Sequence, residues 1–147
     1  MYYMSINAYT HIRLVINTMD IIQMLKVLGD ENRIRILNLL KDGELCVCEI
    51  EYILGITQSN ASRHLTKLNI FNLIIADKKA QWVYYRLNKN TLEEFPFIRE
   101  LLDNELNKME ICNSDRDNLI KYKKSGMNCE TLREYKNDIK SSCICNK

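Results

Sequence analysis

The sequence predicts a mainly α-helical domain that carries one β-hairpin, and three observations predict it. Between Met19 and Leu68, apolar residues recur at helical spacing in four short segments, each opened or closed by Gly, Asp or Thr. "LIIADKKAQWVYYRL", from Leu73 to Leu87, is β-branched and aromatic on both sides of a polar Asp77-Lys78-Lys79-Ala80-Gln81 centre. Beyond the sole proline, Pro96, a new helical stripe begins at Phe97.

The first helix follows Met19, with Ile21, Ile22, Leu25 and Leu28 at helical spacing and Gly29 as its stop. Asp30 is a good N-cap for the second, Glu31 suits its first turn, and Ile34, Leu37 and Leu40 form a stripe ending at Gly43. The third starts near Glu44, turns Val47, Ile50 and Ile53/Leu54 inward, and stops at Gly55. Thr57 caps the fourth, whose buried stripe is Ala61, Leu65 and Leu68. Two short helices joined by a tight turn with Gly at its start form a helix-turn-helix pattern, and the hairpin after it makes the fold a winged helix-turn-helix.

After the hairpin, "FIRELLDNELNKME" carries Ile98, Leu101, Leu102, Leu106 and Met109 on one helical stripe. With nothing in so small a domain to cover it, this stripe and the first helix are expected to dimerise the protein about a two-fold axis. The expected organisation is an amino-terminal arm over 1–19, a winged-helix and dimerisation domain over 20–110, and a partly helical extension over 111–147 with further cysteines.

At 147 residues, 46% hydrophobic and 27% charged, the chain can bury a real core. No apolar run is long enough to span a bilayer, and the first twenty residues lack the plan of an export signal, so a cytoplasmic protein without membrane contact is expected. In that compartment Cys46, Cys48, Cys112, Cys129, Cys143 and Cys145 are expected as reduced thiols rather than a disulfide framework. A formal net charge of only +2 means that any affinity for nucleic acid must come from a local basic face.

The fourth helix supplies one. Its outward positions are Gln58, Ser59, Asn60, Ser62, Arg63, Thr66 and Lys67, with no acid among them, whereas an ordinary solvated face mixes Glu with Lys. These are side chains that hydrogen-bond base edges and phosphates in the major groove of double-stranded DNA. His64 borders the apolar stripe, where it either faces DNA or lies beneath the helix as a core group. Lys78 and Lys79, at the hairpin tip, are placed to reach phosphate.

"ELCVC", Glu44 to Cys48, puts two cysteines one residue apart at a helix start. In a regular helix their sulfurs point apart; they converge only if the first turn becomes extended, where residues i and i+2 share a face. Unpaired amides at a helix start favour thiolate, and thiolates select soft ions. A soft ligand would thus trade helix geometry for bonds to sulfur, which makes this turn a two-state coupling element.

"LKVLGDENRIRILNLL", "ELCVCEI", "LGITQSNASRHLTKL" and "ADKKAQWVYYRL" together resemble the ArsR/SmtB family of metal-responsive winged-helix repressors, over roughly Asp20 to Leu102. The resemblance implies a homodimer that needs no cofactor to bind its operator and is released when a metal or metalloid binds. It also implies Cys46 and Cys48 as ligands, a reading helix from Gln58 to Leu68, and arsenite or antimonite as effector. Where some arsenic sensors place a third cysteine this chain has Glu51, which leaves Cys112 or Cys129 to strengthen the site. The cadmium and lead type uses cysteines in the amino-terminal arm, and residues 1–45 contain none. The zinc type needs histidines on its last helix, and "NTLEEFPFIRELLDNELNKME" has none.

Other functions fit less well. An enzyme with Cys46 or Cys48 as nucleophile and His64 as base lacks an orienting third group and a substrate loop, so no enzymatic activity is expected. A cadmium- or lead-responsive repressor, or a repressor that senses oxidants through its thiols, is the alternative.

Overall fold

The computed structural model describes the backbone of residues 21–144 and the side chains of residues 21–138. The arm over 1–19 and the Cys143/Cys145 pair lie outside the described residues and side chains. Helix α1 covers 21–28, α2 Glu31–Leu40, α3 Val47–Leu54 and α4 Gln58–Ile70; strand β1 is Leu45–Cys46, β2 Ile74–Lys79 and β3 Trp82–Leu87. Then come α5 (Lys89–Glu94), α6 (Pro96–Glu100), α7 (Glu110–Ser125) and α8 (Cys129–Ile144).

The expected caps form. Asp30 accepts the Arg33 amide at 3.0 Å and Thr57 Oγ1 accepts the Asn60 amide at 3.3 Å, each satisfying an amide that the first helical turn leaves unpaired. Gly55 ends α3 at φ 65°, a left-handed conformation that costs a glycine nothing. Ile36, Leu37, Leu39, Ile50, Leu65, Leu68, Leu73 and Ile74 form the centre of one core under α2, α3, α4 and the sheet.

The hairpin turns at Ala80-Gln81, pairing Lys79 with Trp82 and Ile74 with Leu87. Beyond it the structure departs from the sequence-based expectation at α3. The helix does not begin near Glu44: Leu45 and Cys46 are extended and pair antiparallel with Tyr85 and Tyr84, giving the strand order β1-β3-β2. The free edge of β3 captures them, because its backbone groups otherwise have no protein partner.

One further expectation is corrected. Ile98, Leu102 and Leu106 do not wait for a second copy; they are buried inside the chain, on a segment that passes from α6 through a π turn (Leu101–Glu105) into a 3-10 turn (Leu106–Lys108). The partner that the sequence reading lacked is α7, which packs Cys112, Leu119 and Tyr122 into the same core. On α1 the buried residues are Met24, Val27 and Leu28, leaving Ile21, Ile22 and Leu25 as an exposed apolar face.

The extension, expected to be partly helical, is helical through α7 and α8 and docks on the winged helix. Arg35 of α2 holds Asp115 of α7, Asn38 Nδ2 donates to the Cys112 carbonyl at 3.1 Å, and Lys136 of α8 pairs with Glu51 of α3. Glu51, the residue standing where a third cysteine was sought, thus helps to dock α8.

Candidate functional site

The outward face of α4 stands as its sequence predicts. Gln58, Ser59, Ser62, Arg63, Thr66 and Lys67 are exposed and Asn60 is half-buried, with no acid on that face. Arg63 is held by a 2.9 Å hydrogen bond from Nη2 to Asn60 Oδ1, and the Lys67 ammonium lies 5.2 Å above the centre of the Phe71 ring. The face is thus a row of donors, two of them braced by neighbours.

His64 is not on it. The side chain is buried under α4 with Nδ1 3.5 Å from Asp30, and Nε2 is buried without a hydrogen-bond partner among the described residues. Burial pushes the imidazole pKa below its ordinary value, and Asp30 only partly opposes it. On this geometry His64 is a buried residue beneath α4, beside Asp30 at the start of α2, and not a DNA-facing one.

At the wing tip Lys78 is exposed, but Lys79 folds back to Glu44 and lies 5.3 Å from the Tyr84 ring centre. Ala80 turns the tip at φ 53°, an uncommon conformation for a residue with a Cβ.

The cysteines gather at the other end of β1. Cys46 is the last residue of β1 and the N-cap of α3, almost wholly buried, and its amide donates to Glu49 Oε2 at 2.7 Å. Glu49 Oε1 accepts the Tyr122 hydroxyl at 2.8 Å, so one carboxylate joins the start of α3 to α7. That acceptor and burial push the Tyr122 phenol well above its ordinary range, burial contributing most.

Cys129, first residue of α8, meets Cys46 here. The structure joins the two as a disulfide with Cα atoms 7.1 Å apart, wider than disulfides usually span. The expectation of reduced thiols throughout does not hold for this pair. The two sulfurs and a Glu49 oxygen lie within 4.8 Å of one another, and the Tyr84 hydroxyl is 3.7 Å from the Cys129 sulfur. Two sulfurs and a carboxylate suit a soft, thiophilic ion better than magnesium or calcium.

Cys48, the second residue of α3, is half-buried and outside that cluster. Burial pushes its thiol pKa up, and Lys136 and Arg133 oppose without reversing it, so the expected benefit of the helix terminus is not seen at this residue. Cys112 is fully buried, its thiol also pushed up by burial, and packs against α2 rather than near Cys46. Sequence reasoning offered Cys112, as the better fixed, together with Cys129, and missed Glu49. The one available signal for Glu49 was its place three residues after Cys46, where a carboxylate reaches back to the capping amide.

Fold and site define a winged helix-turn-helix protein with a sulfur-lined cluster at the base of its wing. The chain belongs to the arsR family of bacterial regulatory proteins, whose model matches residues 30–75. It is 30% identical to HlyU of Vibrio cholerae N16961 in its reduced form, with a TM-score of 0.53, covering 63% of this chain and 97% of that one. The arsenic resistance transcriptional regulator ArsR1 of Pseudomonas putida is 44% identical over 64 residues, 43% of this chain and 50% of that protein. A cadmium resistance transcriptional regulatory protein, the CadC homolog of Staphylococcus aureus, is 33% identical over 79 residues, 53% of this chain and 65% of that protein. The chain thus spans between half and two-thirds of these two relatives. No helix among the described residues is long and apolar enough to cross a membrane.

Proposed function

We propose that the protein is a cytoplasmic transcriptional repressor, not an enzyme, that binds double-stranded operator DNA as a homodimer. It leaves the operator when a thiophilic metalloid, arsenite or antimonite, binds thiolates at the start of α3. The single observation that carries this reading is the position of Cys46, which is shared by strand β1 and the N-cap of α3. A ligand held there acts on the wing through the β1–β3 ladder and on α4 through its packing with α3, and these are the two parts that would touch DNA.

In this reading Arg63, Gln58, Ser59, Asn60 and Ser62 meet base edges, and Lys67, Lys78 and Lys79 meet phosphates. Lys79 first gives up Glu44. The effector ligands are Cys46 and Cys48, with Cys129 as the third sulfur; Cys48 joins when the first turn of α3 opens. The likeness to the arsenic resistance regulator supports arsenite, and the likeness to the cadmium resistance regulator makes cadmium or lead the rival effector.

Operator DNA is bound by the reduced protein, followed by fluorescence anisotropy, and titrated with arsenite, antimonite, cadmium, lead and zinc in turn. Release at the lowest concentration by arsenite or antimonite, lost in Cys46→Ser, is the expected result; release by zinc alone would sink the reading. The disulfide between Cys46 and Cys129 favours one second reading, a repressor that senses oxidants. Release by peroxide with no response to arsenite would select it.

A further inference from the structure

We propose that Cys46, Glu49 and Cys129 form a preassembled metalloid clasp, in which the α7–α8 extension closes over the start of α3 and the effector is captured without Cys48. The inference rests on the reading that a thiophilic metalloid is the effector. It adds that α8 supplies half of the capturing sulfur, and that capture and DNA release are separable.

Three elements converge on this point for reasons independent of any ligand. The β1–β3 ladder fixes the Cys46 backbone opposite Tyr84. Glu49 is fixed from both sides, by the Cys46 amide and the Tyr122 hydroxyl. Cys129 opens α8, which the Lys136–Glu51 pair and buried Leu132 dock on α3. The three ligand atoms are consequently within 4.8 Å of one another while α3 is fully wound, with the two sulfurs joined to each other as a disulfide that reduction converts into the two thiols of the clasp. Cys48 lies on that wound turn, and recruiting it requires the turn to open. A site that exists before opening is the one a ligand meets first.

The disulfide is first reduced by two molecules of a small thiol, which are oxidised to their own disulfide while Cys46 and Cys129 take up two electrons and two protons. From the dithiol form onward no oxidant or reductant is needed. Arsenous acid carries three hydroxyl groups. Each thiol proton leaves with one hydroxyl as water while an arsenic–oxygen bond breaks and an arsenic–sulfur bond forms. Two thiols release two waters, arsenic stays trivalent, and one hydroxyl remains on it. Glu49, whose carboxylate oxygen lies beside both sulfurs, accepts the hydrogen bond from that hydroxyl. Replacing this last hydroxyl by the Cys48 sulfur, with a third water released, is the step that unwinds α3.

The test uses the full chain as Cys48→Ser, kept reduced with a phosphine, with one equivalent of arsenite. Arsenic-edge X-ray absorption should find two sulfurs and one oxygen around arsenic, and native mass spectrometry an adduct formed with loss of two waters. The Cys48→Ser/Cys129→Ser double variant, shown by circular dichroism to be folded, should bind arsenite about tenfold or more weaker. Glu49→Gln keeps an acceptor for the Cys46 amide and should release arsenite faster. Arsenite binding that is equally tight in the double variant, or absent from Cys48→Ser, would overturn the clasp. Operator binding is scored separately: Cys48→Ser that holds arsenite yet stays on DNA supports the clasp and assigns release to Cys48. A wild-type protein that holds arsenic on Cys46 and Cys129 yet never leaves DNA also supports the clasp, and defeats the repressor reading instead.

Discussion

Arg35 and Asp115, eighty residues apart, meet in a forked ion pair: Nε donates to Oδ2 at 2.7 Å and Nη2 to Oδ1 at 2.8 Å. The pair is almost wholly buried, and the Asp115 carboxylate raises the arginine pKa further. It is the main polar tie between α7 and α2. Removing one partner leaves a buried charge uncompensated, so Asp115→Ala should destabilise the fold by about 3 kcal/mol. Urea unfolding checks this, and a loss near zero would mean that α7 is only loosely seated.

Ile21, Ile22 and Leu25 are exposed at 39%, 53% and 53%, a continuous apolar face on α1. In a dimer joined through α1 that face is buried. Leu25→Lys should raise the dimer dissociation constant about a hundredfold, or ~3 kcal/mol, since a charge is then forced into the contact. Sedimentation velocity at micromolar concentration reports it. Unchanged dimerisation would move the interface off α1.

Arg63→Ala should weaken operator binding by about 1–3 kcal/mol and relax the base preference at one position. Lys78→Ala should weaken all sequences alike and lower the salt slope by about 1. Lys79→Ala should do less, because that ammonium must first leave Glu44 and the Tyr84 ring. Anisotropy titrations at several salt concentrations distinguish the three. A Lys79 effect larger than that of Lys78 would show that its pairing does not persist on DNA.

His64 is held neutral, its folded pKa lowered chiefly by burial. Below about pH 6.5 the unfolded chain takes up a proton that the folded one refuses, so stability is full above that pH and is lost as pH falls towards the lower folded value. The urea midpoint of the wild type should drop between pH 7 and pH 5, and His64→Gln should lose less over the same range. An equal drop in both would show that His64 protonates freely in the fold.

Local signals carried much of the architecture. Asp30, Thr57 and Gly55 mark helix ends whose caps form as the residues suggest, and the polar centre at Asp77–Gln81 marks the turn of the wing. What the sequence hides is long-range. Nothing near Leu45 says that β3 will take it as a strand, because that depends on an edge some forty residues later. Nor does the stripe Cys112, Asp115, Leu119 and Tyr122 read as a core face, because a carboxylate interrupts it; only Arg35 across the interface makes Asp115 an inside residue. The choice of Cys129 over Cys112 is of the same kind, set by the docking of α8 and not by spacing.

The Glu49–Tyr122 hydrogen bond joins residues that are 73 positions apart, and it has a consequence for biosynthesis. The face of α3 that Tyr122 and Leu132 cover leaves the ribosome well before either residue is made, at roughly 5–20 residues per second. For several seconds the nascent winged helix presents an uncovered apolar patch beside a thiol, and it is during this interval that a chaperone or another nascent chain competes for that patch. Helices α7 and α8 thus act as an internal chaperone for α3, arriving late and closing an apolar surface that the young chain leaves open to aggregation.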